Sequence, residues 1–213
     1  MIVSLLDARG VAAKGEAAMI ETLDNCLTDC RDRLIRAPHD RKSPLHTPVI
    51  VTGDVDARVM VLRAFDSTAW RLRFHTDARA PKAQVIAADP RIAVLFYDKG
   101  AKVQIRARGI GQIVREGAEV DGAWSASTNF ARRCYLGEGP GAGSDVPTSG
   151  LPQEFEGVEP DDGQLVPARE NFALLRITVT AFDWLYLAHT GHVRAQFLRS
   201  GDGQDWTGRW VSP

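Results

Sequence analysis

Residues Arg58 to Pro90 read RVMVLRAFDSTAWRLRFHTDARAPKAQVIAADP, and the fold follows from how this stretch divides. RVMVLRAF and WRLRFHT are apolar in runs or in alternation, the pattern of β-strands. Asp66-Ser67 between them supplies a turn. Ala80 to Ala88 then reads as a short helix, with Pro81 near its start and Asp89-Pro90 at its end. In a hairpin closed at AFDST the two strand tails lie side by side. Arg58, beginning the first strand, then comes next to Thr76, ending the second, with Lys82 just inside the helix. A guanidinium, a hydroxyl, an ammonium and helix-terminal N–H groups in one place suit a phosphate. The same spacing also allows Arg58, Arg63 and Lys82 to be solvated surface charges.

Outward from this stretch the rhythm stays that of strands with short connections. VIVTGD precedes it, with a Gly53-Asp54 turn. RIAVLFYD and KVQIRARGIGQIV follow as a hairpin across Lys99-Gly100. FALLRITVTAFDWLYLA and HVRAQFLR are the last long strands, and the chain finishes DWTGRWVSP. Residues 16–36 place Ala18, Leu23, Leu27, Leu34 and Ile35 at helical intervals, an amphipathic helix packed on the body. Pro38, Pro44 and Pro48 mark the next segment as loop. Glu119 to Tyr135 reads as helical, and Gly137 to Gly163 as a long loop rich in Gly, Pro, Ser and acidic residues. A structureless stretch of that length is unusual unless it lines a site. About six strands without a βαβ rhythm predict a mainly β fold with flanking helices, a small closed or nearly closed barrel in one domain over 1–213.

Composition narrows the function. Lys and Arg total 26 against 27 Asp and Glu, a formal net charge of -1, which argues against non-specific binding to nucleic acid or anionic membrane. The basic residues are mostly arginine, suited to fixed anion contacts. Cys26, Cys30 and Cys134 form neither a disulfide framework nor a CxxC pair and read as structural thiols of a reducing compartment. The first residues lack a basic start followed by an apolar run, so no signal peptide is expected, and no run is long enough to span a membrane. The expected location is the cytoplasm. GxGxxG, P-loop, HExxH and zinc-spaced Cys/His patterns are missing, so a cofactor would have to be held by strand ends, and no metal is expected. Gln104 sits between β-branched neighbours in KVQIRARG. Buried, its amide needs a partner, which can be a flat polar ring, a neighbouring strand or water.

Taken in order, Arg58-Val-Met-Val-Leu-Arg63, Phe74-His-Thr-Asp77, Lys82, Asp89-Pro-Arg-Ile-Ala-Val-Leu-Phe96 and Val103-Gln-Ile-Arg-Ala-Arg-Gly109 resemble the pyridoxamine 5'-phosphate oxidase family of FMN-binding split barrels. The resemblance is clear over about Val49 to Val114, with an echo near the C-terminus. It implies a split β-barrel, a homodimer, and FMN at the subunit interface. Arg58 would contact the phosphate-bearing chain of FMN and Lys82 its phosphate, with the backbone of Val59, Met60, Val61 and Leu62 beside the ring. His75 and Thr76 would be further cofactor contacts, and Gln104 would reach the flavin across the interface. Trp184 and Arg194, ten residues apart, match a cofactor-side pair of the family; for Trp184 core packing is the competing reading. The family's arginine before the lysine is here Pro81, and Arg79 is the nearest substitute.

On the substrate side, Arg63 matches a family lysine and His192 a family histidine, but the arginine expected two residues before it is Thr190. The family's Tyr/Arg/Ser pattern is replaced by Arg132, Arg133 and Tyr135 at other spacings, which also fit an exposed helix face. The implied function is an FMN-dependent oxidoreductase on an unidentified small molecule, in which the flavin carries the redox step and no catalytic residue is assigned. His75 and His192 can move protons or serve as plain contacts. The alternatives are a non-catalytic FMN carrier or sensor, and a genuine pyridoxamine or pyridoxine 5'-phosphate oxidase.

Overall fold

The computed structural model describes residues 22–201, 203 and 205–213. Ala18 and the first turn of the expected N-terminal helix lie outside them. Helix α1 runs Leu23–Arg36, started by Thr22, whose side chain accepts from Asn25 N at 3.1 Å. Its Cys26, Cys30 and Leu34 are buried against the barrel.

Nine strands form one antiparallel sheet: β1 Val49–Val51, β2 Ala57–Val59, β3 Leu62–Asp66, β4 Arg71–Asp77, β5 Arg91–Asp98, β6 Val103–Val114, β7 Phe172–Tyr186, β8 Val193–Arg199 and β9 Trp206–Val211. The order is β2-β1-β5-β6-β7-β4-β3, with β8 and β9 continuing from β7. The ends of this order decide the shape. RVMVLRAF, which reads as one strand in the sequence, breaks at Met60–Val61 into β2, on one edge, and β3, on the other. Two residues join the edges, so the sheet must curl until they nearly meet. The result is a split barrel.

The inner face follows the period of two along each strand. Ile92, Val94 and Phe96 of β5 and Ile105 and Ala107 of β6 are buried while their neighbours face out. Phe182, Trp184, Ala195 and Phe197 continue the core across β7 and β8. Gly109 marks a bulge in the β6–β7 ladder, and a Cβ there would lie 2.2 Å from Thr178 O. Helix α2, Pro81–Ala88, is seated by Ala83 and Ile86 beside β6. A second, smaller core forms under helix α3, Ala118–Ser125, where Val120 and Ala123 meet Phe172 and Leu174.

The helix expected over 119–135 is broken. Ser127–Thr128 interrupts it, and Thr128 starts helix α4, Asn129–Arg132, by accepting from Ala131 N at 3.2 Å. The long loop contains a 3-10 turn, Gln153–Phe155, and β9 is a strand within the closing WTGRWV.

Candidate functional site

Arg58 lies opposite Ile50 in the β1–β2 register, so its side chain leaves the sheet on the core side at the barrel's edge. Its Nη1 donates to Thr52 Oγ1 at 3.0 Å and its Nη2 to Asp56 Oδ2. Lys82, in the first turn of α2, is half-buried and makes no hydrogen bond or ion pair among the described residues. Burial pushes its ammonium below the usual lysine range, and the Arg58 charge pushes the same way, more than Asp77 and Asp56 pull back. Two cations therefore share one corner. Asp56 pairs with Arg58 from an exposed position, and Lys82 feels Asp77 and Asp56 without a hydrogen bond or ion pair among the described residues.

Thr76, at the end of β4, is 4% exposed, and its hydroxyl has only the Asp77 carbonyl at 3.4 Å. Arg79, the substitute for the arginine absent at Pro81, is held by Asp77, with Nε to Oδ1 at 3.0 Å and Nη2 to Oδ2 at 2.7 Å. A phosphate needs cationic forks, a neutral donor and free amides. Arg58, Lys82 and Thr76 supply the first two, and Ala80 leaves the α2 start without a side-chain cap. The residues present fit a phosphate-bearing cofactor.

Met60 and Val61 lie between strands, with Met60 N donating to Pro48 O at 3.1 Å. Val59 is 63% exposed, whereas Leu62 is in the core. His75 follows the strand alternation to the face opposite Thr76. There its ring meets Phe172 edge-on at 5.0 Å, and Tyr135 meets Phe172 from another side at 5.1 Å. Burial first, then the Arg63 and Arg73 charges, lower the His75 imidazole to about 4, so it is neutral near pH 7. Arg63 lies at the irregularity in the β3–β4 pairing, exposed and without an ion pair among the described residues.

The remaining expected residues stand elsewhere. Trp184 is a core residue, 2% exposed, with Nε1 donating to Asp29 Oδ2 of α1 at 2.8 Å. Gln104 faces outward, and the register carries its row across Leu185 to Arg194. Arg194 is held by Asp183, Nε to Oδ1 at 3.0 Å and Nη2 to Oδ2 at 2.7 Å. His192 is exposed in the β7–β8 connection. Within one chain Arg58 and Lys82 lie close enough for their charges to act on each other, while Thr76 is buried at the end of β4. The structure puts Gln104 and Arg194 on the outer face and leaves Trp184 inside.

Residues 26–115 match the family model described as pyridoxamine 5'-phosphate oxidase, FMN-binding domain. A pyridoxine/pyridoxamine 5'-phosphate oxidase of Hyphomonas neptunium is 26% identical over 204 residues, 92% of this chain and 91% of that one. Over these residues the chain is similar to the pyridoxamine 5'-phosphate oxidase-like family of FMN-binding split barrels. A relative of the same name from Caulobacter vibrioides is 33% identical over 102 residues, 48% of this chain and 43% of that one. Among solved structures, a pyridoxamine 5'-phosphate oxidase-related, FMN-binding protein from Nostoc punctiforme superposes with a TM-score of 0.64 at 23% identity, covering 99% of this chain and 100% of that one. The family's split barrel is the fold described above.

Sequence reasoning missed two residues at the corner, Asp56 and Thr52. Asp56 shares a side with Arg58 because it is two positions away in an extended segment, so its role was readable locally. Thr52 reaches Arg58 only once β1 and β2 pair. Among the described residues no group of His, Cys, Asp or Glu is arranged to hold a metal ion, and no helix is long and apolar enough to cross a membrane.

Proposed function

We propose that the protein binds FMN, with the phosphate at Arg58, Lys82 and Thr76, and acts as an FMN-dependent oxidoreductase on a small molecule. The observation that carries this reading is Lys82, a half-buried cation beside a second cation, with no carboxylate of its own. Burying an unpaired charge costs stability, and a fold that tolerates it leaves room for an anion. Bound FMN supplies electron transfer at its ring. The chain's part is to grip the phosphate, to bed the ring against the Val59–Leu62 segment where it leaves the sheet, and to keep His75 neutral.

A second copy of the chain belongs to this proposal. Leu95 and Tyr97 are 36% and 46% exposed on the outer face of β5, and Ile110 and Leu198, 48% and 57% exposed, line a cleft of about 600 Å³ that also reaches Thr52. Apolar exposure on that scale suits an interface. Gln104 and Arg194 lie on the same face, where a homodimer would carry them to the partner's cofactor.

The vitamin oxidase reading is supported by the names of relatives that span most of the chain. Against it, Thr190 replaces an expected arginine, and the substitutes Arg132, Arg133 and Arg199 are engaged elsewhere. Arg132 donates to Trp124 O at 2.8 Å and Ser125 O at 2.9 Å. Arg133 donates to Phe155 O at 2.7 Å, and Arg199 to Ala69 O at 2.8 Å. The test is a titration with FMN followed by anaerobic mixing. A saturable flavin spectral change with Kd below about 10 μM supports the cofactor. Bleaching by pyridoxamine 5'-phosphate supports the vitamin oxidase, and bleaching by NADH or NADPH alone a reductase. Flavin that binds and resists both is a carrier's, and no FMN binding removes the proposal.

A further inference from the structure

The turn that closes the β1–β2 hairpin is built more tightly than a surface turn needs. Val55 N donates to Thr52 O at 2.9 Å, and Thr52 N to Asp56 O at 3.2 Å. Val55 is held in the left-handed region, at φ 66°, where a β-branched residue is strained and glycine is the usual choice. Gly53 is pressed against the segment that follows α2. A Cβ on it would lie 2.5 Å from Asp89 Oδ2, and that carboxylate is itself clasped by Arg91.

Within this turn Thr52 is 4% exposed, and its one hydroxyl serves two partners. It donates to Asp54 Oδ1 at 2.6 Å and accepts from Arg58 Nη1 at 3.0 Å. Asp54 is exposed, and the bond from Thr52, ahead of every other cause, holds its carboxyl below the usual aspartate range. A guanidinium has five N–H donors. Thr52 takes one from Nη1 and Asp56 one from Nη2, which leaves Nε and a hydrogen on each Nη for an anion. The two holds differ in kind. Asp56 offsets the charge that it orients, and an incoming phosphate competes with it. Thr52 orients the fork and leaves the charge intact. A hydroxyl that donates to a carboxylate is also the better acceptor, because the two hydrogen bonds polarise in the same sense.

We propose that Thr52 is a positioning residue for the flavin phosphate: through the chain Asp54–Thr52–Arg58 it holds the Arg58 fork in place, and so sets the preference of the corner for the phosphorylated flavin. This rests on the flavin reading and deepens it. Without the hydroxyl Arg58 keeps its charge, loses its neutral anchor and is left to Asp56.

Parent, Thr52→Val and Thr52→Ser proteins are titrated with FMN and with riboflavin, which has the same ring and no phosphate. Thr52→Val should weaken FMN about five- to ten-fold and leave riboflavin within about two-fold of the parent. Thr52→Ser, which keeps the hydroxyl, should restore FMN. Asp54→Ala adds a test of sign. It removes a negative charge, which by charge alone tightens FMN. Acting through Thr52 it should weaken FMN instead, and in the Thr52→Val background that weakening should vanish. FMN bound equally by parent and Thr52→Val overturns the proposal. So does an equal loss of riboflavin, a Thr52→Ser protein no better than Thr52→Val, or an Asp54→Ala protein that binds FMN more tightly. If Thr52→Val does not fold, the sign of the Asp54→Ala effect decides. A parent that binds no FMN removes the flavin reading and this inference with it, whereas a parent that binds FMN and is indifferent to Thr52→Val removes the inference alone.

Discussion

At Asp183 one carboxylate, 6% exposed, receives Arg106 at 2.7 Å, Arg194 through both oxygens and Gln196 at 2.9 Å. At the Arg58 corner the balance is different: Arg58 pairs with exposed Asp56, and half-buried Lys82 has no hydrogen bond or ion pair among the described residues. Both regions lie on the same sheet and draw on the same residue types. In the first, register does the pairing: Arg106, Asp183, Gln196 and Arg209 are direct partners across β6, β7, β8 and β9, and Arg209 completes the row by donating to Gln196 at 3.0 Å. A closed row of this kind locks strands together. In the second, the strand edge and a helix start bring cations together and leave them short of charge. A fold holds an uncompensated charge at a cost, so the shortfall marks a place for a ligand.

The largest break in this comparison is Asp183→Ala. It leaves Arg106 and Arg194 without their shared carboxylate and the Gln196 Nε2 without its acceptor. A loss of about 3 kcal/mol in urea unfolding is expected, the scale of a charge-assisted hydrogen-bond cluster cut on one side. Burial pushes the Asp183 carboxyl up, but the hydrogen bonds from Arg194, Arg106 and Gln196 together outweigh it and lower the carboxyl to about 2. Its contribution is therefore present above the ordinary aspartate range and fades only as pH falls through about 2.

Lys82→Met should act oppositely. FMN affinity is expected to fall ten- to a hundred-fold, about 1.5–3 kcal/mol, while the unloaded protein keeps or gains stability, since a buried unpaired charge has gone. The same logic gives a pH signature. Lys82 titrates in the folded protein below its unfolded value. Between those values the unfolded chain holds the extra proton, so the stability of the unloaded protein should rise with pH as the ordinary lysine range is approached. Excess FMN should flatten that rise by favouring the charged form. An unloaded Lys82→Met protein that unfolds more easily than the parent would make Lys82 a structural residue.

His75 gives a further contrast, because its shift comes from burial more than from any partner. Its folded value of about 4 lies below the ordinary 6.5. The neutral ring therefore contributes stability that is complete above pH 6.5 and is lost as pH falls toward 4. Unfolding followed between pH 7 and 4 should show that loss in the parent and a shallower one in His75→Phe, which preserves the packing on Phe172.

These regions also differ in how far they could be read from the sequence. RIAVLFYD announced β5 as a continuous apolar and aromatic run, whereas the hairpin expected to set Arg58 beside Thr76 does not form as read: Arg58 pairs opposite Ile50 in β1, and Thr76 lies opposite Ala173 in β7. The break at Met60–Val61 was hidden, since RVMVLRAF is apolar throughout and only closure of the barrel divides it. β9 was hidden by Gly208, which weakens the strand pattern yet is required under Phe197, where a Cβ would lie 2.7 Å from the ring. Asp183 was unreadable for a different reason. Arg106 is 77 residues away in sequence, and only register brings the two together.

The smallest change sharpens the comparison most. Asp56 is exposed, and its carboxylate holds Arg58 where an anion would sit. Such a pair is worth at most about 1 kcal/mol in water, because solvent and salt screen it. Asp56→Asn should therefore leave unfolding almost unchanged. It should also free a fork of Arg58 and remove a negative charge from the corner. If the corner is an anion site, FMN should bind up to about five-fold more tightly in the variant, with the gain shrinking as salt is raised. If Asp56 and Arg58 are only a surface pair tying the β1–β2 turn, the variant should match the parent in FMN affinity at every salt concentration. The salt series separates these outcomes because a structural effect on the turn would change affinity without changing its salt dependence.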